Sequence, residues 1–102
     1  MTMNLRGSWS AYQSDGHKVD FHDLNQNDSG KVFGKATVGG TAGDCDGVVS
    51  GNDVVLIVQW TTGPRGRMSG HLGLDNRLAG DSVDLNNPQN TATWFSDPLP
   101  AS

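Results

Sequence analysis

The sequence predicts an all-β protein, an eight-stranded antiparallel up-and-down (meander) β-barrel formed by one domain over residues 1–102. Gly, Asp, Ser, Asn and Pro make up nearly half of the chain, which is typical of many tight turns. All eleven acidic residues are Asp, so the helix-forming residue Glu is absent. Other residues that favour helices are scarce, and a helical bundle is therefore excluded. Segments of alternating apolar and polar residues recur at regular intervals between turn residues, as in a barrel of short strands.

Eight such segments are predicted to be strands, because apolar residues alternate within each and turn residues bound it. In chain order they span residues 5–12, 18–25, 31–38, 45–50, 53–61, 67–74, 77–85 and 91–96. The tail from residue 97 contains two prolines and is predicted to be irregular.

The connections between these strands alternate in length. Short turns at residues 27–30, 51–52 and 75–76 alternate with longer loops, which span residues 13–17, 39–44, 62–66 and 86–90. Alternate connections of an antiparallel meander lie at the same end of the sheet. The longer loops are therefore predicted to share one end, and long loops commonly carry function.

Composition and charge narrow the class of protein. The net charge of −4, with scattered basic residues, argues against nucleic-acid binding, and no basic or apolar segment suggests a membrane partner. The single cysteine, Cys45, has no partner within the chain for a disulfide. With an N-terminus that lacks an apolar leader, this indicates a cytoplasmic protein, or a secreted one whose signal peptide has been removed. No cofactor is expected, because no helix follows the Gly-rich segments to form a phosphate-binding loop.

Three short motifs follow one another along the chain: Gly7-Ser8-Trp9, Val58-Gln59-Trp60 and Met68-Ser69-Gly70. Together with the eight-strand meander, this order resembles the calycin superfamily and, within it, the avidin/streptavidin-like barrels. The resemblance implies a barrel that encloses its tryptophans and holds a ligand at one end.

The sequence departs from the avidin pattern at the positions that bind biotin. Met68 stands where that family has Trp, Ala11 stands where it has Asn, and the last predicted strand lacks the Asp that binds the ureido group. An unpaired buried polar group costs about 1–3 kcal/mol. Biotin is therefore not the expected ligand.

The resemblance places Trp9, Trp60 and Trp94 inside the barrel, and Arg77 or Trp94 over Trp9. Alternation then assigns the other inward residues of three strands. These are Val32, Gly34, Ala36 and Val38, then Val54, Leu56 and Val58, then Met68, Gly70, Leu72 and Leu74. Two faces of the seventh strand fit the alternation, Ala79 to Leu85 or Leu78 to Asp84, and the resemblance favours the second. The inward glycines, including Gly80, are expected to leave space inside.

We expect the long-loop end to bind a small hydrophobic or aromatic organic molecule, with Trp60 and Met68 as walls and Asp84 and Asn86 as polar anchors. The full predicted set of ligand-binding residues is Tyr12, Thr37, Trp60, Met68, Ser82, Asp84 and Asn86. An alternative is a cyclase- or isomerase-type enzyme that uses Asp84 and His17 as acid or base. A second alternative is a carbohydrate-binding or protein-inhibitor module that uses the loop rim, which a solid core with exposed rim aromatics would favour.

The residues that commonly hold metals are not arranged for it. Asp44-Cys45-Asp46-Gly47 resembles a fragment of a calcium loop without the remaining ligands, so a turn with capping carboxylates is expected there. His17, His22 and His71 lack the spacing of zinc ligands. No metal site is predicted.

A second copy of the chain is the expected protein partner. Val55, Ile57, Val83 and Leu85 are predicted to form an apolar strip on the outside of the barrel. Apolar strips on soluble barrels commonly mark subunit contacts. The sequence thus predicts a homodimer or a larger assembly through this strip.

Overall fold

A computed structural model describes residues 3–99 as one closed barrel of eight antiparallel strands. The strands are β1 (Gly7–Gln13), β2 (Lys18–Gln26), β3 (Lys31–Val38), β4 (Thr41–Ser50), β5 (Asp53–Trp60), β6 (Arg65–Leu72), β7 (Leu78–Asp84) and β8 (Thr91–Ser96). Each strand pairs with the next, and β8 returns to pair with β1. The predicted all-β meander barrel is confirmed, and its topology is consistent with a calycin-like fold.

Alternation along the strands separates the interior from the outer face. In β5, Val54, Leu56 and Val58 are buried, whereas Val55 between them is exposed. The alternation of apolar and polar residues in the sequence thus corresponds to apolar side chains that face the inside of the barrel. No helix long and apolar enough to cross a membrane occurs within residues 3–99.

The connection between β3 and β4 is much shorter than predicted. Gly39 and Gly40 form a two-residue turn, and Thr41 already pairs with Val38 in the sheet. Gly39 has a φ of 57°, which glycine adopts without steric strain and which a tight hairpin turn requires. Residues 41–44, predicted to be loop, extend β4 instead.

Asp44-Cys45-Asp46-Gly47 consequently lies within β4 and is not a turn. Cys45 faces the core, while Asp44 and Asp46 are exposed on the outer face. The alternation of a strand therefore separates the two carboxylates from the thiol, and the prediction of a capping turn is wrong.

The connection between β6 and β7 is longer than predicted, spanning residues 73–77. Leu74, predicted to face inward, lies at the tip of this loop and is fully exposed. One end of the barrel, named the mouth here, carries the loops 14–17, 39–40, 61–64 and 85–90. The opposite end, the lower end, carries the loops 27–30, 51–52 and 73–77. Loop length therefore does not separate the two ends.

Chain segments outside the strands close the end opposite the mouth. Met3, Leu5 and Leu99 are all buried there. The Gln26 side chain accepts a hydrogen bond from the Leu5 amide (2.8 Å) and donates one to the Met3 carbonyl (2.9 Å). The Leu99 amide donates to the carbonyl of Asn76 (2.9 Å). These three apolar side chains plug the lower end of the barrel.

Aromatic side chains fill the lower half of the interior. The Trp9 ring packs against Phe21 with centroids 4.5 Å apart, and its indole N–H donates to the Leu5 carbonyl. Trp94 lies over Gly70, where an added Cβ would come within 2.6 Å of Trp94 Cζ2. The space expected above the inward Gly70 is thus taken by this ring.

The cation expected over Trp9 is not found among residues 3–99, where the one cation–π contact is Lys18 over Tyr12, on the outer face. Arg77 instead donates to the carbonyl of Ser96 and lies 4.0 Å from an Asp75 carboxylate oxygen. Phe21 covers Trp9, so the prediction that Arg77 or Trp94 does so is wrong.

Candidate functional site

A cavity of about 480 Å³ occupies the mouth half of the barrel. Its walls come from β1, β2, β5, β6, β7, β8 and the adjoining loops, and the aromatic layer formed by Trp9, Phe21 and Trp94 does not line it. The lining residues are Gln13, Asp15, His17, Val19, Val58, Trp60, Pro64, Arg65, Gly66, Arg67, Met68, Ser82, Val83, Asp84, Gln89, Asn90, Thr91 and Ala92. This volume lies within the range of small-molecule sites.

The floor and one side of the cavity are apolar. Val19, Val58 and Met68 are buried, and Trp60 is partly exposed at the end of β5. The six-membered ring of Trp60 lies above Gly43 of β4, where an added Cβ would be 2.8 Å from Trp60 Cε3. The absence of a side chain at position 43 therefore allows the indole to lie in the wall.

The wall next to Met68, formed by β7, is polar, and its groups are held in place. Ser82 Oγ donates to Gln13 Oε1 at 2.7 Å, which links β7 to β1 across β8. Asp84 Oδ1 accepts from the amide of Asn86 at 2.9 Å. Both contacts fix the side chains before any ligand arrives, which lowers the entropy cost of binding.

The rim of the cavity carries charged residues of both signs. His17 Nδ1 lies 3.1 Å from Asp15 Oδ2 in the β1–β2 loop. Partial burial acts to raise the pKa of Asp15, but hydrogen bonds from the His17 amide and ring outweigh it, so the pKa falls below its usual value. Asp15 is therefore a carboxylate at neutral pH.

The structure places most of the predicted site residues at this cavity. Trp60, Met68, Ser82 and Asp84 are in its wall, and His17 is at its rim. Asn86 does not line the cavity. Its Oδ1 instead accepts from the Arg65 amide at 2.8 Å and joins the β7–β8 loop to the start of β6.

Two predicted site residues lie on the outer face. Tyr12 follows the inward Ala11, so it points outward, where it packs on Phe95 and donates to Asp97 at 2.8 Å. Thr37 follows the inward Ala36, and its hydroxyl lies 2.8 Å from His22 Nε2. Both were placed at the mouth from their position along the strand, but the alternation of side chains turns them away from it.

Gln13 and Val19 line the cavity but were not among the predicted residues. Alternation could have predicted both positions. Gln13 lies on the same face of β1 as Trp9 and Ala11. Val19 lies on the same face of β2 as Phe21. Gln89 and Asn90, by contrast, reach the cavity from the β7–β8 loop, which alternation does not describe, and Thr91 and Ala92 are the first residues of β8.

Nucleophilic and metal-binding groups are not concentrated at this site. Burial raises the pKa of the Cys45 thiol to about 12, with a smaller contribution from Asp46, so the thiol is neutral and unreactive at physiological pH. In the part of the chain that the structure describes, no three His, Cys or acidic side chains come together as metal ligands.

No protein-family model matches this sequence, and no curated protein is significantly similar to it. The resemblance to calycins therefore rests on the barrel topology and the three short motifs. The feature of this barrel that indicates a function is the cavity, which combines an apolar floor with a polar wall and a charged rim.

Proposed function

We propose that the barrel binds a small amphipathic organic molecule in the mouth cavity. The observation that carries this proposal is a cavity of about 480 Å³ between an apolar floor and a prearranged polar wall. Such a combination of apolar surface and a few oriented polar groups is typical of small-molecule sites. The aromatic layer below sets the depth to which the molecule enters.

The two sides of the cavity define how the molecule lies. Its apolar or aromatic part contacts Trp60 and Met68, where burial of apolar area drives binding. Its polar part meets Ser82 and Asp84. Because Asp84 Oδ1 already accepts a bond from the Asn86 amide, the second carboxylate oxygen is left for the ligand. The ligand therefore carries a hydrogen-bond donor, such as an amine or hydroxyl.

Binding accounts for these contacts better than catalysis or a rim-based module. Asp84 and His17 line one cavity, but Asp84 accepts a hydrogen bond from the Asn86 amide and His17 is ion-paired with Asp15. No hydroxyl or thiol that lines the cavity among residues 3–99 is hydrogen-bonded to His17. The four mouth loops contain no Phe, Tyr or Trp, so they lack the aromatic platform of a carbohydrate-binding rim.

The indole N–H resonances of the three tryptophans provide a test of this site. Trp9 and Trp94 are buried and donate to backbone carbonyls, so they serve as internal controls for Trp60. In ¹H–¹⁵N spectra we expect 2-phenylethylamine to shift the Trp60 signal and leave the other two unchanged. Phenylacetate, with the same ring and the opposite charge, should bind more weakly beside Asp84, and tighter binding of phenylacetate would show that Arg65 and Arg67 of the lining set the charge preference instead.

Substitutions separate the two halves of the site. Trp60→Ala should abolish the saturable shift of cavity-lining amides by removing stacking area. Asp84→Asn should remove the preference for the amine, because the isosteric amide carries no charge. A Trp60 signal that stays unchanged with both compounds, and with small molecules identified by native mass spectrometry of the purified protein, would contradict the proposal.

A further inference from the structure

We propose that the protein forms a twofold dimer through the outer face of β4, β5 and β6, in which Asp46 of one protomer pairs with the partner's Arg67. The outer faces of these three strands differ in chemistry. β4 presents the acidic Asp44 and Asp46, β5 presents the apolar Val55 and Ile57, and β6 presents the basic Arg65 and Arg67.

The sheet register aligns these residues in rows across the strands. Asp46 pairs with Ile57, and Ile57 pairs with Arg67, so acid, apolar residue and base stand side by side. Toward the mouth, Gln59 lies between Asp44 and Arg65 in the same order. The charge pattern is therefore repeated along the strands, with the acids on one side of β5 and the bases on the other.

This pattern is complementary to itself under one symmetry operation. A twofold axis that lies along β5, in the plane of contact, places β4 of one protomer over β6 of its partner. Each Asp46 then faces the partner's Arg67, and Ile57 on the axis meets its own copy. Any other orientation of the partner would place acidic residues against acidic residues. A sideways shift of the partner would place the apolar residues of β5 against charged residues.

Three of the four charges have no ion-pair partner among the residues that the structure describes. Asp44 is ion-paired with Lys35, but Asp46, Arg65 and Arg67 form no ion pair among residues 3–99. Val55 keeps 41% of its surface exposed, and Val48, its neighbour on β4, keeps 50%. Val55 and Ile57 thus form an apolar seam on the outer face, with unpaired charges of opposite sign on its two sides. A second copy of the chain would bury this seam and pair these charges.

The curvature of the barrel limits the contact to these three strands. Neighbouring strands are about 4.8 Å apart, so β4 and β6 flank the seam closely while β7 curves away. Val83 and Leu85, which the sequence placed in the same apolar strip, belong to β7 and its following loop. In this dimer they lie at the edge of the contact, which meets the rim of the mouth cavity at Arg65 and Arg67.

Charge-reversed variants test the pairing in solution. Sedimentation velocity of the full chain from micromolar to near-millimolar concentration should show a dimer. Asp46→Arg and Arg67→Asp should each raise the dimer dissociation constant by about tenfold or more, since each change occurs twice in a twofold interface. The double variant, Asp46→Arg with Arg67→Asp, should dimerise again because the charges are exchanged but remain complementary.

Mixing the two single variants gives the decisive result. In a mixed pair, the arginine introduced in one protomer faces the aspartate introduced in the other, and the unchanged Arg67 and Asp46 form the second contact. An equimolar mixture of Asp46→Arg and Arg67→Asp should therefore form heterodimers, while neither variant forms homodimers. Asp28→Arg, which makes the same change of charge in the exposed β2–β3 turn, should leave the dimer intact. Near-ultraviolet circular dichroism of each variant checks that the barrel is folded.

A parent protein that is monomeric over the whole concentration range would overturn the dimer. A dimer that persists in both single variants, or a mixture that remains monomeric, would overturn this interface. Because Arg65 and Arg67 also line the cavity and Asp46 does not, the ligand titration is repeated in Asp46→Arg as a separate test.

Discussion

At the scale of single residues, large inward side chains lie next to inward glycines. Trp94 covers Gly70, and Trp60 covers Gly43, in each case closer than a Cβ would permit. These pairs let wide rings share a narrow barrel, and they determine how much space remains. Trp94 fills its half of the interior, whereas Trp60 stands at the wall and leaves the cavity beside it.

Burial of Cys45 makes the stability of the barrel depend on pH in the alkaline range. The pKa rises from 9.0 in the unfolded chain to about 12 in the folded one, chiefly because burial disfavours the thiolate. Between these values the folded state holds the proton that the unfolded state has lost. The free energy of unfolding should therefore decrease as pH rises, by up to about 1.4 kcal/mol per pH unit from this group.

Urea unfolding at a series of pH values between about 8 and 11 measures this slope. Cys45→Ala should be less steep, because it removes the titrating group. Some slope should remain, since the hydrogen bond to Asp97 also raises the pKa of Tyr12. Equal slopes in the parent and Cys45→Ala would show that the buried thiol does not control alkaline stability.

At the scale of the strands, Gly43 of β4 determines where the Trp60 ring lies, because it has no side chain to occupy that space. An added Cβ at Gly43 would also lie 2.9 Å from Val58 Cγ1 and from the Gln59 carbonyl oxygen. Gly43→Val should move the Trp60 ring into the cavity and cost about 1–3 kcal/mol of stability. The Trp60 indole resonance should shift and binding of 2-phenylethylamine should be lost.

Gly40→Val, in the β3–β4 turn that precedes Gly43, provides the matched control. The space around an added Cβ at Gly40 is open, and its φ is not in the left-handed region. That variant should leave the Trp60 resonance in place. Retention of the parent Trp60 signal and of amine binding in Gly43→Val would show that β4 does not set the position of the indole.

At the scale of the whole molecule, the two ends of the barrel differ because terminal segments cover only one of them. Leu99 is buried in the plug, so Leu99→Ala should lower the free energy of unfolding by about 2–3 kcal/mol. Leu74→Ala, at a fully exposed leucine of the same end, should change it little. Urea unfolding of both variants gives the comparison, and similar stabilities would argue against the plug.

The Trp60 resonance should be the same in Leu99→Ala as in the parent, because the aromatic layer of Trp9, Phe21 and Trp94 separates the plug from the cavity. A large shift there would mean that the two ends are coupled through the core.

Turn composition and the alternation of apolar residues were enough to predict the all-β class, the number and order of the strands, and most of the inward faces, because side chains on a strand alternate between its two faces. Alternation left both faces of β7 open, and the resemblance to calycins placed Trp60, Ser82 and Asp84 on the inner face. The closure of one end could not be predicted, since it depends on Met3, Leu5 and Leu99, which reach the end opposite the mouth only in the folded barrel. The tertiary structure also decided how much space is left inside, because whether Trp94 lies over Gly70 or Trp60 over Gly43 depends on contacts between side chains far apart in the chain. Loop lengths and strand alternation are local, whereas the plug and the packing of rings are set by closure of the barrel.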